Sequence, residues 1–337
     1  NFIRAMRGLN RARPEVSNKI IEHLEERGAY NDVRTNSEIL SNMNYRVPDA
    51  SGEDSQEEKI PFSSVGIKTR HAVPESYWLK SFEAYQNELN TQVEQGVIRL
   101  GEKKEGGLDR TKYIITPGSI ISMAELTLRY VITSGIKFSS DEIKQFLDNH
   151  STTEVNEKKL MCKNETTSTL KDYLLLNIMQ YLLLKGESTS NYRLFLLLKY
   201  LNKVNPELFE SIPELKSHYE TTETEIKSNT KDEVTPRRLN IQPSKIAKML
   251  DELGIFYKTY DRVEDVMRPQ IYLPKENVVI EYVSNNEYIK TGNNKEERIY
   301  TPSFHFRKAF LDAHGYKVVT VDFYDYIDNE GDQNKLK

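Results

Sequence analysis

The sequence predicts an α+β protein with a mostly α-helical body and a small C-terminal α/β domain. Apolar residues recur at helical spacing in many segments of the first 235 residues. The polar segment Glu220–Pro236 contains only two apolar residues and cannot bury a face. After this segment the pattern changes to helix, two strands, helix and strand. The length of 337 residues suits about two domains.

Composition excludes several classes of protein. Hydrophobic residues make up 37% of the chain and the mean hydropathy is -0.65, which is not expected of a membrane protein. The formal net charge is -4, which is not typical of a strongly basic nucleic-acid binder. The single cysteine excludes a disulfide framework and a cysteine-cluster metal site. The six histidines show no metal-ligand spacing, so we expect neither a metal nor another cofactor.

Residues 1–60 are predicted to form a basic arm, a helix and an acidic linker. The arm Asn1–Arg13 contains no acid, and its four arginines are candidate contacts for RNA phosphates: Arg4, Arg7, Arg11 and Arg13. The same segment also suits an organelle-targeting remnant or a solvated end without a partner. Glu15–Gly28 has the apolar spacing of a helix. Asp49–Lys59 is acidic and polar, as expected of a linker.

Residues 61–219 are predicted to form an α-helical domain. Its first helix is Glu75–Val97, in which we expect Trp78 to anchor the packing. Leu170–Leu184 is the most apolar run of the chain. Polar residues interrupt this run, and it is shorter than the roughly 20 apolar residues of a membrane span. It is therefore predicted to be a buried helix, and we expect no membrane span.

The rest of this domain is predicted to consist of helices in αα-hairpins. One pair is Pro117–Ser134 with Ser140–His150, a second is Leu170–Lys185 with Asn191–Val204, and Pro206–Tyr219 follows. Ser140 and Asp141 suit a helix start, and Ser151–Thr169 reads as a polar break. The pairs have the size of helical repeats, although no internal motif recurs. Residues 220–239 are predicted to be a linker.

Residues 240–327 are predicted to form the α/β domain, and residues 328–337 a tail. Its elements in order are a helix at Gln242–Leu253, strands at Ile271–Leu273 and Val278–Val283, a helix capped by Thr301, and a strand at Tyr316–Phe323.

This C-terminal region resembles a RAP domain. The similar segments are Ile271–Glu281 and Thr301–Tyr326, preceded by a helix in Ser244–Tyr257. Within them the matching features are Leu273-Pro274, the apolar strand ending in Glu281, the Arg307-Lys308 pair with Leu311, Gly315-Tyr316, and Val318–Tyr324 with the aromatic-acid-aromatic Tyr324-Asp325-Tyr326 at its end. The resemblance covers about 85 of the 337 residues. It implies a restriction-endonuclease-like fold and an RNA-binding module, of the kind found after helical repeats in organellar RNA proteins and abundant in apicomplexan parasites.

The resemblance also raises the question of nuclease activity. A metal-dependent nuclease of that fold needs an acid on one strand and Glu-x-Lys on the next, to hold metal and steady the attacking water. The corresponding positions here are Gln270, Glu281 and Val283, so one of the three groups remains. We therefore interpret these positions as vestigial, with Glu281 a fold relic or a hydrogen-bonded structural acid, and expect no catalytic residue and no enzyme activity.

RNA contacts are expected from cationic and aromatic side chains, which bind phosphates and stack on bases. In the C-terminal domain the candidate RNA-binding residues are Arg298, His305, Arg307, Lys308 and Lys317, with Tyr324 and Tyr326 for stacking.

These features predict a non-catalytic RNA-binding protein that is a structural component of the mitochondrial ribosome and contacts ribosomal RNA. The mixed charge favours local RNA contact beside other proteins of a ribonucleoprotein complex. The alternatives are a stand-alone organellar factor for RNA processing or stability, a plastid location, and a protein-interaction scaffold without RNA contact. A metal-dependent nuclease is disfavoured by Gln270 and Val283.

Overall fold

The computed structural model describes residues 14–29, 36, 40, 46–48, 69–71, 73–95, 115–132, 136–155, 158–163, 169–185, 192–229, 241–290 and 298–323. The arginines Arg4, Arg7, Arg11 and Arg13, the acidic segment Asp49–Lys59, Tyr324, Tyr326 and the tail 328–337 lie outside the described residues.

Helices make up most of the described chain. They are α1 (Pro14–Glu26), α2 (Glu75–Glu94), α3 (Pro117–Val131), α4 (Ser140–Asn149), α5 (Leu170–Lys185), α6 (Tyr192–Val204), α7 (Pro206–Ser211), α8 (Pro213–Asn229), α9 (Ile241–Glu252) and α10 (Pro302–Ala313). The strands are β1 (Arg46–Pro48), β2 (Thr69–His71), β3 (His150–Val155), β4 (Lys158–Lys163), β5 (Lys258–Thr259), β6 (Ile271–Leu273), β7 (Val278–Val283), β8 (Tyr288–Lys290), β9 (Arg298–Tyr300) and β10 (Lys317–Asp322). The prediction of a mostly helical protein with a small α/β part is confirmed.

The core of the helical body is built around α2 and α5. Trp78 is fully buried and lies 4.8 Å from the Tyr130 ring and 5.6 Å from the Phe82 ring, so it anchors the packing as predicted. Helix α5 is buried on nearly all sides, and its polar residues find partners inside the body. Asn177 accepts a hydrogen bond from Gln86, and Gln180 accepts one from the Met161 N–H. Among the described helices, none has the length and apolar character needed to cross a membrane.

The starts of α3 and α4 follow from local sequence. Thr116, directly before Pro117, forms a capping box with Ser119 at the start of α3. Ser139 and Glu142 form the equivalent box of α4. The cap of α4 is therefore Ser139, one residue earlier than the predicted start at Ser140.

The predicted pairing of helices along the chain is wrong in the body. Helix α3 packs mainly against α5 rather than against α4, and α4 packs against α7. The reason is that α5 is apolar on all sides, so several helices gather around it, whereas a hairpin repeat needs one apolar stripe per helix.

Two segments that were predicted to be irregular have regular structure. Most of the polar break Ser151–Thr169 is an antiparallel hairpin, β3 with β4, whose strand β4 packs on α5. The first half of the predicted linker 220–239 is helical, because α8 continues to Asn229 with Thr222 buried and Ile226 packed against the core.

The C-terminal domain has a four-stranded sheet in the order β10-β7-β6-β5. Strand β10 runs parallel to β7, while β6 is antiparallel to both β7 and β5. Helix α10 connects β7 to β10, as a parallel pair requires a crossover. Strands β6 and β7 have the predicted bounds, and Thr301 caps α10 as predicted.

The C-terminal domain packs directly on the helical body. Phe306 and Phe310 of α10 and Val266 belong to the same hydrophobic cluster as the body core. The Tyr200 ring of α6 meets the Phe306 ring edge-on at 5.7 Å. Burial of the Tyr200 hydroxyl, with a smaller contribution from the negative charge of Asp312, raises the pKa of Tyr200 to about 12.

Candidate functional site in the C-terminal domain

Strand β7 presents different side chains to the two helices that cover the sheet. Val279 and Val283 pack in clusters with Leu311 and Phe304 of α10. Tyr282 packs with residues of α9 on the opposite face. Alternation along the strand therefore places Glu281 on the α10 side, between two valines.

Glu281 is 2% exposed and forms an ion pair with α10. Its Oε2 lies 3.3 Å from Nη2 of Arg307. The same guanidinium lies 3.4 Å from Oε1 of Glu287 and 5.1 Å from the centre of the Phe304 ring. Two carboxylates thus share one arginine, whose charge is already compensated inside the domain.

Burial is the main influence on the ionisation of Glu281. Loss of water raises the pKa of the Glu281 carboxyl, while Arg307 and the Gln270 backbone N–H oppose the rise and Glu287 adds to it. Among the described atoms, Oε1 of Glu281 and Nε of Arg307 are buried without a hydrogen-bond partner. The pair is therefore held by one close contact between the two groups and not by a complete network.

Gln270 takes the place of a strand residue beside β7. Its side-chain oxygen accepts a hydrogen bond from the Tyr282 N–H at 2.9 Å, and its side-chain nitrogen donates to the Tyr282 carbonyl at 3.2 Å. Its own backbone carbonyl accepts from the Tyr260 N–H at 3.2 Å. Strand β7 extends past the end of β6, and the Gln270 side chain there satisfies backbone groups of Tyr282 that would otherwise lack a partner.

A second polar group lies at the carboxyl ends of the parallel strands. Val283 is fully buried against Tyr288 and Phe304. The Tyr288 hydroxyl donates to the buried carboxylate of Asp322 on β10. Burial, and then the hydrogen bond to Asp322, raise the pKa of Tyr288 strongly. The position of a nuclease lysine is therefore filled by apolar packing.

Glu287 ties this region to the start of α10. Thr301 donates its hydroxyl to Oε2 of Glu287 at 3.1 Å and its backbone N–H to the Glu287 carbonyl at 2.8 Å. Glu287, Tyr288 and Asp322 were not predicted as site residues from the sequence. The sequence signals them only as polar residues in or beside predicted strands. Their contacts depend on the fold, since Tyr288 and Asp322 are 34 residues apart in the chain.

The described residues predicted to contact RNA differ in exposure and in their ion pairs. His305 was predicted to contact RNA, but it is only 7% exposed because it lies on the inner side of α10. Its ring is therefore not accessible at the surface. Arg307 faces Glu281 and Glu287, and Lys308 forms an ion pair with Asp312 at 2.8 Å. Lys317 is exposed at the start of β10, and Arg298 begins β9. Arg307 and Lys308 are thus paired with acids of the domain, whereas Lys317 is exposed.

The chemistry of this site is that of a neutralised acid in a packed domain. Within the part of the chain that the structure describes, no group of three or more His, Cys, Asp or Glu side chains is arranged to hold a metal ion. Comparison with protein-family models gives no match for this chain, and comparison with curated proteins gives none.

Proposed function

We propose that this protein is a non-catalytic RNA-binding protein, a structural component of the mitochondrial ribosome that contacts ribosomal RNA. The observation that carries the proposal is the state of the three nuclease positions in a RAP-like domain. Glu281 is committed to Arg307, Gln270 binds the backbone of β7, and Val283 is buried in apolar packing. A domain of this type without the cleavage groups is suited to binding RNA.

The arrangement of secondary structure supports the restriction-endonuclease-like part of the proposal. From α9 to β10 the order is a helix, five strands, a helix and a strand, and β5, β6 and β7 join β10 in the four-stranded sheet. The last strand is parallel to its neighbour β7 and reached through α10. Helices cover both faces of the sheet, since α9 and α10 pack on opposite sides of β7.

A structural role fits the way in which the domain is attached. Its helix α10 shares a core with the helical body through Phe306 and Phe310. The net charge of -4 is distributed over a mixed surface. Such a unit suits local contact with RNA and broader contact with neighbouring proteins. The Arg-rich segment Asn1–Arg13 offers a second place for phosphate contact.

Sedimentation of cell extracts tests this proposal. The protein carrying an epitope tag should sediment with mitochondrial ribosomes in a gradient containing Mg²⁺ and should shift to light fractions when EDTA dissociates them. A matrix protein that does not bind ribosomes, followed in the same gradient, serves as the control for non-specific association with the ribosomes.

Other sedimentation results identify the alternatives. A light species enriched in one transcript indicates a stand-alone processing or stability factor. A light species with no associated RNA at any salt concentration indicates a protein-interaction scaffold, because phosphate contacts give RNA binding that weakens with salt. A ribosomal peak in purified plastids instead of mitochondria would assign the protein to that organelle.

A further inference from the structure

A short turn in the C-terminal domain brings two arginines together. Val263 and Met267 are paired by backbone hydrogen bonds of 2.8 and 3.0 Å, and Tyr260 is paired with Gln270. Arg262 and Arg268 flank the Val263–Met267 pair, so this antiparallel register places them opposite each other. Like charges directly opposite each other across a pair of strands reduce stability. A bound anion would remove this cost.

The acids of the same segment are already paired with lysines. Asp261 lies 2.8 Å from Lys258, while Glu264 and Asp265 lie 3.4 and 3.8 Å from Lys199. Among the described residues, no acid forms an ion pair with Arg262 or Arg268. The described contact of the Arg268 guanidinium is a hydrogen bond of 3.4 Å donated to the Tyr260 carbonyl. Both arginines of this turn are therefore without an ion-paired acid among the described residues.

The helical body places an aromatic ring beside these arginines. Tyr192, the first residue of α6, is 44% exposed and donates its hydroxyl to the Val266 carbonyl of the turn. Partial burial raises the pKa of Tyr192, and the positive charges of Arg262 and Arg268 oppose the rise. The hydrogen bond to Val266 sets this ring against the turn that carries both arginines, at the junction between the body and the C-terminal domain.

We infer that Arg262, Arg268 and Tyr192 form a binding site for single-stranded RNA. The two guanidiniums bind phosphodiester oxygens, for which their planar N–H groups have the matching geometry. The exposed Tyr192 ring stacks on an unpaired base. A single strand fits better than a duplex, since bases must be unstacked to meet an aromatic side chain. This inference rests on the proposed RNA-binding function and places one contact at residues that the sequence analysis did not select.

Equilibrium binding of a labelled RNA tests the site. The full chain is titrated into fluorescein-labelled 20-nucleotide oligouridylate at several KCl concentrations. We expect the double variant R262E/R268E to raise the Kd at least roughly tenfold and to lower the salt slope by about 1.4, since each phosphate contact on a single strand contributes about 0.7. The variant R262K/R268K keeps the charge but not the planar N–H geometry, so it should lose less affinity than R262E/R268E. Tyr192→Phe should retain the affinity because the ring is kept.

A matched control variant separates this site from general charge. K216E/K248E makes the same charge change at exposed lysines of α8 and α9, and it should leave the Kd within about twofold of the original. Circular dichroism and thermal unfolding of each variant show that the fold is intact. Unchanged binding by R262E/R268E, or an equal loss in K216E/K248E, would overturn the site while leaving the proposed function standing.

Two further results distinguish RNA from other anions. Inorganic phosphate that displaces the RNA at low millimolar concentration would indicate a free-anion site and overturn the inference. Polyglutamate that binds as tightly as the RNA would indicate an acidic protein partner and also overturn it. If the unsubstituted chain does not bind oligouridylate, the site is likewise excluded, and the sedimentation experiment decides the proposed function separately.

Discussion

Lys199 of α6 lies 3.4 Å from the carboxylate of Glu264 in the C-terminal domain. The lysine side chain is only 9% exposed, and Asp265 and Glu223 each lie 3.8 Å from its Nζ. Glu264 and Asp265 belong to the domain, whereas Glu223 belongs to α8 of the body. One buried ammonium group therefore joins three carboxylates across the junction between the two parts of the protein.

Substitution of Lys199 by Met should weaken this junction. Three carboxylates would lose their common partner, and we expect the free energy of unfolding to fall by roughly 2–3 kcal/mol, below the range for fully buried pairs because the acids are partly exposed. Chemical denaturation measures this loss. Lys227→Met removes an exposed ion pair with Glu223 and should cost less than about 0.5 kcal/mol. Equal losses in the two variants would contradict the role of Lys199.

The turn that carries Glu264 and Asp265 should favour glycine over alanine. Asp265 has a φ of 61°, in the left-handed region that side chains with a Cβ disfavour. Asp265→Ala and Asp265→Gly both remove the carboxylate, so their difference reports the backbone. We expect the glycine variant to be more stable by about 1 kcal/mol in thermal unfolding. Asp261 is not among the residues with a left-handed φ, so Asp261→Ala should be at least as stable as Asp261→Gly.

Glu281 should make stability depend on pH. Its pKa is raised in the folded state, so its contribution to stability is complete below the ordinary glutamate pKa of about 4.3 and is lost as pH rises through the folded value. Glu281→Gln cannot ionise. Unfolding measured from pH 4 to 8 should therefore show the variant gaining stability relative to the original chain as pH rises. A constant difference over this range would be inconsistent with the raised pKa.

The hydroxyl of Tyr288 should contribute to the stability of the sheet end. Tyr288→Phe removes a donor from the buried carboxylate of Asp322, and we expect a loss of about 1–3 kcal/mol in the free energy of unfolding. Tyr272→Phe is the matched control, because its hydroxyl makes only an exposed contact of 3.4 Å with Asn277. The control should change stability by less than about 0.5 kcal/mol.

Purified protein should not cleave RNA. Glu281 is held by Arg307, and Val283, at the position where a nuclease lysine was expected, has no group that could steady an attacking water. Labelled RNA incubated with the protein and Mg²⁺ or Mn²⁺ should remain intact on a denaturing gel. Cleavage that disappears in the variant Glu281→Ala would establish the nuclease alternative.

Local signals in the sequence were sufficient for several elements. The bounds of β6 and β7 and the capped start of α10 follow from short patterns of apolar residues, threonine and proline. The β3–β4 hairpin was not predicted, because Thr152 and Thr153 show no apolar alternation and the hairpin depends on packing against α5. Its Met161 N–H finds its acceptor on Gln180, a partner that only the folded chain supplies.

In the candidate site, too, some residues could be predicted from local sequence and others depend on contacts between distant segments. Glu281 stands out in the sequence as a lone acid in an apolar strand, and the structure gives it Arg307 as a partner. Glu287 and Asp322 could not be selected, since their partners are distant in the chain. Arg262 and Arg268 were also missed, because the backbone pairing of Val263 with Met267, which brings them together, is not visible in the sequence.

The two hydrogen bonds of Gln270 to Tyr282 limit how this domain can evolve. An amide supplies both the donor and the acceptor that the β7 backbone uses there. An ionised carboxylate at position 270 could only accept, and it would face the Tyr282 carbonyl without a proton to share. An acid at position 270 would therefore disturb the sheet that carries it unless a second change beside β7 compensated for the lost donor.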